Sequence, residues 1–130
     1  MSLVSTPMSV GELLDKITIL EIKSEKITDP EKLTNINYEL ELLNQTWQKT
    51  GMVDAKTDEL KQALKEVNLR LWKIEDDIRI FEKNKNFGDD FVQLARSVYY
   101  QNDDRAAIKK QINQATGSDL TEEKSYQSYQ

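Results

Sequence analysis

The chain contains no cysteine and no histidine. Without cysteine there is no disulfide framework, no thiolate nucleophile and no thiolate-held metal. Without histidine, the commonest general base, any histidine-containing catalytic triad and the usual zinc sites go as well. Glycine and proline are scarce, 4 and 2 in 130 residues, which leaves little room for the turns of a sheet protein. No apolar run approaches the roughly 18 residues of a membrane span. The N-terminus lacks the basic-then-apolar pattern of a secretory signal. A formal net charge of −5 argues against a protein that tracks nucleic-acid phosphates. The expectation is a cytoplasmic protein with no nucleic-acid partner, no membrane span, no metal and no cofactor.

What is present is helical pattern. Residues 58–85 carry Leu60, Leu64, Val67, Leu71, Ile74, Ile78 and Phe81 at alternating steps of four and three, with no glycine or proline between them. That is a heptad seam, and at about 1.5 Å per residue the helix is roughly 40 Å long and needs partners to cover it. Glu66–Arg70 and Glu75–Arg79 add favourable pairs four residues apart. Before this spine, Ser9 and Glu12 fit a capping box and Met8 with Leu13 the matching hydrophobic staple, so a first helix runs from about 10 to 27. Asp29-Pro30 stops that helix and starts a second, about 30–50, closed by Gly51. The spine follows at about 55–85, capped by Asp54 or Thr57. The turn at 84–90 contains Gly88, and Asp89 or Asp90 is the expected cap of a fourth helix over about 90–115. Residues 117–130 are polar and aperiodic and read as a loose tail, with Leu120, Tyr126 and Tyr129 available to dock on a neighbour. The fold class is all-α: a single-domain antiparallel four-helix up-down bundle with a long heptad-patterned third helix. Trp47, Trp72 and Phe81 read as core aromatics.

Two features stand out against this regular pattern. On the first helix Ile19 and Ile22 point nearly opposite to the Leu13, Leu14, Ile17, Leu20 face. They call for a second buried contact, either another helix or a second subunit, and are the candidate homodimer interface. On the fourth helix the apolar face of Phe91, Leu94, Ala95 and Val98 gives way to Asn102, Arg105 and Lys109 before Ile112 resumes it. Reading across an up-down bundle at equal height sets Arg105 near Glu21, Asn37 and Asn68. The expected result is a polar layer of Glu21, Asn37, Asn68, Asn102 and Arg105. It either fixes helix register, with Arg105 paired to Glu21, or forms a small pocket in which Arg105 and Lys109 receive an anion. A weaker constellation is carboxylate: Glu12 with Asp15, and Glu75-Asp76-Asp77, at spacings that suit magnesium in helical pyrophosphohydrolases.

The stretches SVGELLDKITILEIKSEKI and FGDDFVQLARSVYYQNDDRAAIKKQIN, with LWKIEDDIR between them and EEKSY at the end, carry a resemblance. They resemble an uncharacterised family of short all-helical bacterial and phage proteins, a domain of unknown function. The resemblance spans nearly the whole chain. It implies motif positions at Glu12, Leu13, Asp15, Lys16, Leu20, Lys23, Trp72, Glu75, Asp76, Asn102, Arg105, Lys109 and Asn113, and implies no activity. In size and helicity the chain is also similar to the helical chorismate mutases. Its four arginines, Arg70, Arg79, Arg96 and Arg105, do not match their spacing, so the analogy stops at the fold. The functional expectation is a non-catalytic helical interaction or accessory protein, partnered by itself as a homodimer or by another protein. The alternatives are a small helical enzyme or anion-binding module using the polar layer, and a carboxylate–magnesium site acting on nucleotides.

Overall fold

The computed structural model describes residues 2–129; Met1 and Gln130, the ends of the lead-in and the tail, lie outside them. Four helices follow one another, α1 (Val10–Lys26), α2 (Pro30–Lys49), α3 (Ala55–Lys83) and α4 (Asp89–Thr116), with no strand among the described residues. They form an all-α antiparallel four-helix bundle. Local chemistry explains the ends. The Ser9 and Asp29 side chains accept the N–H groups of Glu12 and Lys32, which the first turn of a helix cannot satisfy internally. Asp54 and Thr57 close a full capping box on α3, each side chain accepting from the other's backbone. For α4 the expected acidic cap is replaced by Gly88, which makes no side-chain bond. Asp89 and Asp90 fall instead in the first turn, where their charge opposes the positive end of the helix dipole.

The turn after α3 holds a strained residue. The Asn86 N–H bonds to the Phe81 carbonyl at 2.9 Å and the Lys85 N–H to Glu82 at 3.1 Å, a Schellman ending. Its left-handed position, φ 55°, is occupied by Lys85 rather than by the nearby Gly88. A side chain there costs about 1 kcal/mol or more.

The helices are not arranged around a square. α1 packs on α2, α3 and α4, and α3 packs on α4, whereas α2 has no close backbone approach to α3 or α4. α1 is therefore the centre of the molecule, which explains its two apolar faces. Leu13, Leu14 and Ile17 join Trp47, Leu60, Leu64 and Ile112 in one core, while Ile22, on the other side, is 1 % exposed. Ile22 thus finds its second contact within the same chain, while Ile19 is half-buried.

α1 has 17 residues and α3 has 29, so at about 1.5 Å per residue α1 is too short by roughly 18 Å to cover its neighbour. The burial pattern records this. In α3 no residue after Asn68 is fully buried, and in α4 none before Lys109. Leu71, Ile74, Ile78 and Phe81 of the heptad seam are only half-buried, as are Phe91, Leu94 and Val98 opposite them. Trp47 is core, but Trp72 and Phe81 are half-buried rather than enclosed. The far half of the α3–α4 hairpin is a two-helix arm with Ile80, Phe87 and Val92 exposed near its end.

Where α1 meets α4, Gly11 permits an unusually close approach. A Cβ at this position would fall 2.6 Å from the Lys109 carbonyl oxygen, backbone that cannot swing aside. Alanine is the better helix former by about 1 kcal/mol, but the clash forces the helices apart. Gly11→Ala is expected to lower stability by roughly 1–3 kcal/mol. Lys85→Gly is expected to raise it by about 0.5–1 kcal/mol, relief of strain less the entropy of glycine. Urea unfolding followed by circular dichroism measures both shifts, and a gain from Gly11→Ala or a loss from Lys85→Gly would contradict this account.

Candidate functional site

The polar groups collect where α1, α3 and α4 meet, starting from the α1 N-terminus. Its first free N–H groups are taken by α4 and the tail. Val10 donates to Ser118 Oγ at 3.3 Å and Gly11 donates to Asn113 Oδ1 at 2.7 Å. Glu12 does not complete the box with Ser9; it faces Lys109 Nζ at 2.8 Å. The Lys109 side chain is 8 % exposed and also meets Glu122 of the tail at 2.7 Å. Burial disfavours its charge, yet hydrogen bonds to Glu12 and Glu122 outweigh that and raise its pKa above the ordinary lysine value. The Lys109 hydrogen bond in turn lowers the pKa of Glu122.

One turn further along α1 lies Asp15, a carboxylate 1 % exposed. Arg105 of α4 donates to it through Nε at 2.9 Å and again through Nη2. Asn68 of α3 donates to the same Oδ1 that Arg105 Nε reaches, at 3.0 Å, and to Thr18 Oγ1 at 3.0 Å. Arg105 Nη1 reaches Asn102 at 3.5 Å, and Asp15 raises the Arg105 pKa through the shared hydrogen bonds. Among the described residues no buried side-chain polar atom lacks a partner. A forked guanidinium and an amide thus neutralise one buried charge and tie three helices together.

This differs from the expected polar layer in its membership. Asn68, Asn102 and Arg105 do come together. Asp15 takes the place proposed for Glu21, which lies off to the side at 3.4 Å from Lys61 and 3.9 Å from Lys65. Asn37 is exposed on α2, away from the cluster. Equal-height reading misplaced both because it assumed four equivalent helices, whereas the α2 backbone comes close to α1 alone. Lys109 belongs to the next turn and its own ion pairs. The sequence signal for Asp15 was its position inside the apolar stretch Leu13–Thr18, where a carboxylate has to be compensated.

Beside this cluster a groove of about 520 Å³ opens between α1 and the arm. Ile19, Ile22, Leu71 and Trp72 supply its apolar lining. Asn68, Asn102 and Arg105 form its polar wall, joined by Glu75, Asp76 and Arg79. Its charges are largely answered within the chain, Arg105 by Asp15 and Arg79 by Glu75. Among the described residues no group of three or more carboxylates is placed to hold a metal ion. Glu12 and Asp15, the spacing noted for magnesium, are separately bound to Lys109 and Arg105.

The tail makes contacts with α4 through single side chains. Tyr129 packs its ring 5.1 Å from that of Tyr99 and 5.2 Å from that of Tyr100, and its hydroxyl donates to Asp103. That bond pushes the Tyr129 phenol up to about 12. Tyr126 remains 79 % exposed. Periodicity missed this docking because the tail has no regular structure and makes its contacts one side chain at a time.

Two predictions follow from these contacts. Arg105→Met leaves Asp15 charged and buried, and should cost about 3 kcal/mol in urea unfolding; a loss under about 0.5 kcal/mol, the range of ordinary surface changes, would contradict the network. The tail contact has a signed pH dependence. Because the Glu122 pKa is lowered, its contribution is present above the ordinary glutamate value and is lost as pH falls through the lowered one. Because the Lys109 pKa is raised, its contribution is present below the ordinary lysine value and is lost as pH climbs through the raised one. Ring contacts between Tyr129 and Tyr99, followed by NMR, should therefore persist at neutral pH and weaken on acidification.

No curated protein matches this chain, and no solved structure does. The model of the family described as "Family of unknown function (DUF6165)" matches residues 4–129. The chain belongs to that family.

Proposed function

We infer that this protein is a non-catalytic interaction protein that works as a homodimer, joined through the α3–α4 arm. The observation that carries the reading is the half of the arm that α1 does not reach. Its heptad seam is covered on one side only, and a second arm laid against it would complete a four-helix bundle of the kind heptads specify. Charge favours a second copy as the occupant. Residues 70–96 hold six basic and six acidic side chains, so the whole deficit of −5 lies elsewhere in the chain. Two arms meet without net repulsion, and a two-fold pairing is self-complementary by symmetry. The interface thus moves from Ile19 and Ile22 to the arm, with Ile80, Phe87 and Val92 at its exposed end. The cytoplasm suits a chain without cysteine, and among the described residues no helix is long and apolar enough to cross a membrane.

Light scattering at tens of micromolar tests this. The expected mass is twice the 15.1 kDa of the chain, and Ile80→Asp should return it to 15.1 kDa with helicity retained. A wild-type mass of 15.1 kDa at that concentration would end the dimer reading.

A further inference from the structure

The contact between Lys109 and the tail has the form of a site filled by its own chain. Lys109 is nearly buried, and Glu12 on α1 already faces it at 2.8 Å. The second carboxylate, Glu122, comes from an irregular segment and lies 2.7 Å from Lys109 and 3.5 Å from Lys124. Hollows of about 190 Å³ and 210 Å³ flank it, one bordered by Asn102 and Arg105, the other by Lys110 and Asn113. Glu122 lines both. With the tail lifted, Arg105, Lys109 and Lys110 stand against Glu12 and Asp15, an excess of one positive charge at a place walled by two side-chain amides. A small oxyanion would restore the balance that Glu122 now provides.

We propose that the surface beneath the tail, centred on Lys109 with Asn102 and Arg105 beside it, binds a compact carboxylate or phosphate, and that Glu122 holds the site closed by occupying it as an internal ligand. Ligand and tail compete for the same ammonium group. Binding therefore frees residues 118–129, and withdrawing the Tyr129 ring uncovers Tyr99 and Tyr100, so occupancy of the site is read out on the outer face of α4. Apparent affinity in the wild type is reduced by the fraction of time the tail is seated. This proposal does not depend on the arm-mediated dimer; it concerns the opposite half of α4.

The test uses the full chain and inorganic phosphate, with acetate as the carboxylate probe, each against chloride at equal ionic strength. In Glu122→Ala, amide resonances of residues 102–109 should shift saturably, with a dissociation constant roughly tenfold or more below that of the wild type. In the wild type the same titration should weaken ring contacts between Tyr129 and Tyr99. Adding Lys109→Met to Glu122→Ala should abolish the saturable shifts. A response to phosphate alone would assign the site to phosphate-bearing ligands, and a response to both would assign it to oxyanions generally. The proposal is overturned if the folded Glu122→Ala protein shows no saturable shift, if wild type and variant bind equally, or if the shifts survive loss of Lys109. Should Glu122→Ala fail to fold, Glu122→Gln carries the same comparison, since it removes the charge and keeps the shape.

Discussion

One buried carboxylate sets the arrangement of this molecule. Asp15 lies on the central helix with almost no exposure, and a lone ionised carboxylate in such a place is prohibitively costly. The chain has to bring Arg105 and Asn68 to it, from α4 and α3. Those bonds fix where α1 sits along the α3–α4 hairpin, because sliding by one turn would strand the charge. Gly11, with Lys109 backbone where a Cβ would be, holds the same register one turn away. Hydrophobic contacts among Leu13, Leu14, Ile17, Leu64 and Ile112 supply the bulk of the packing. They are less particular about register than a forked guanidinium on a carboxylate.

Once α1 is fixed at that end, the rest follows from length. A helix of 17 residues cannot cover one of 29, so the hairpin continues as an arm whose seam is open along one side. A groove remains where the arm leaves α1. The same polar cluster accounts for the other end. The α1 N-terminus, which would otherwise attract anions, is sealed by Asn113 and Ser118, while the nearby ammonium of Lys109 is shared by a helix carboxylate and a tail carboxylate.

Much of the fold was legible in the sequence because it depends on local chemistry. Ser9, Asp29-Pro30 and Gly51 mark helix ends by the hydrogen bonds they make or the backbone they permit, and the heptads of 60–81 declare a long helix directly. The tertiary arrangement was less legible. Nothing local distinguishes a square bundle from one in which α1 is central, and that difference moved Arg105 from Glu21 to Asp15 and sent Asn37 to the surface. Ile22 lies off the main apolar face and is buried within the chain, but periodicity cannot say whether such a contact is intramolecular. Lys85 in the left-handed position is a further case. Gly88 lies three residues on in the same turn, yet the hydrogen bonds of the Schellman ending decide which residue takes the left-handed position.

The measurement that bears most directly on this account is a double-mutant cycle between Asp15 and Arg105, comparing Asp15→Leu, Arg105→Met and the double variant by urea unfolding. Coupled neighbours in one buried network show interaction energies of about 0.5–3 kcal/mol, and the account predicts the upper part of that range. The double variant should be more stable than Arg105→Met alone, because removing the buried charge relieves what the single substitution leaves unpaired. Additive losses, with no coupling between the two positions, would mean that the carboxylate does not set the register.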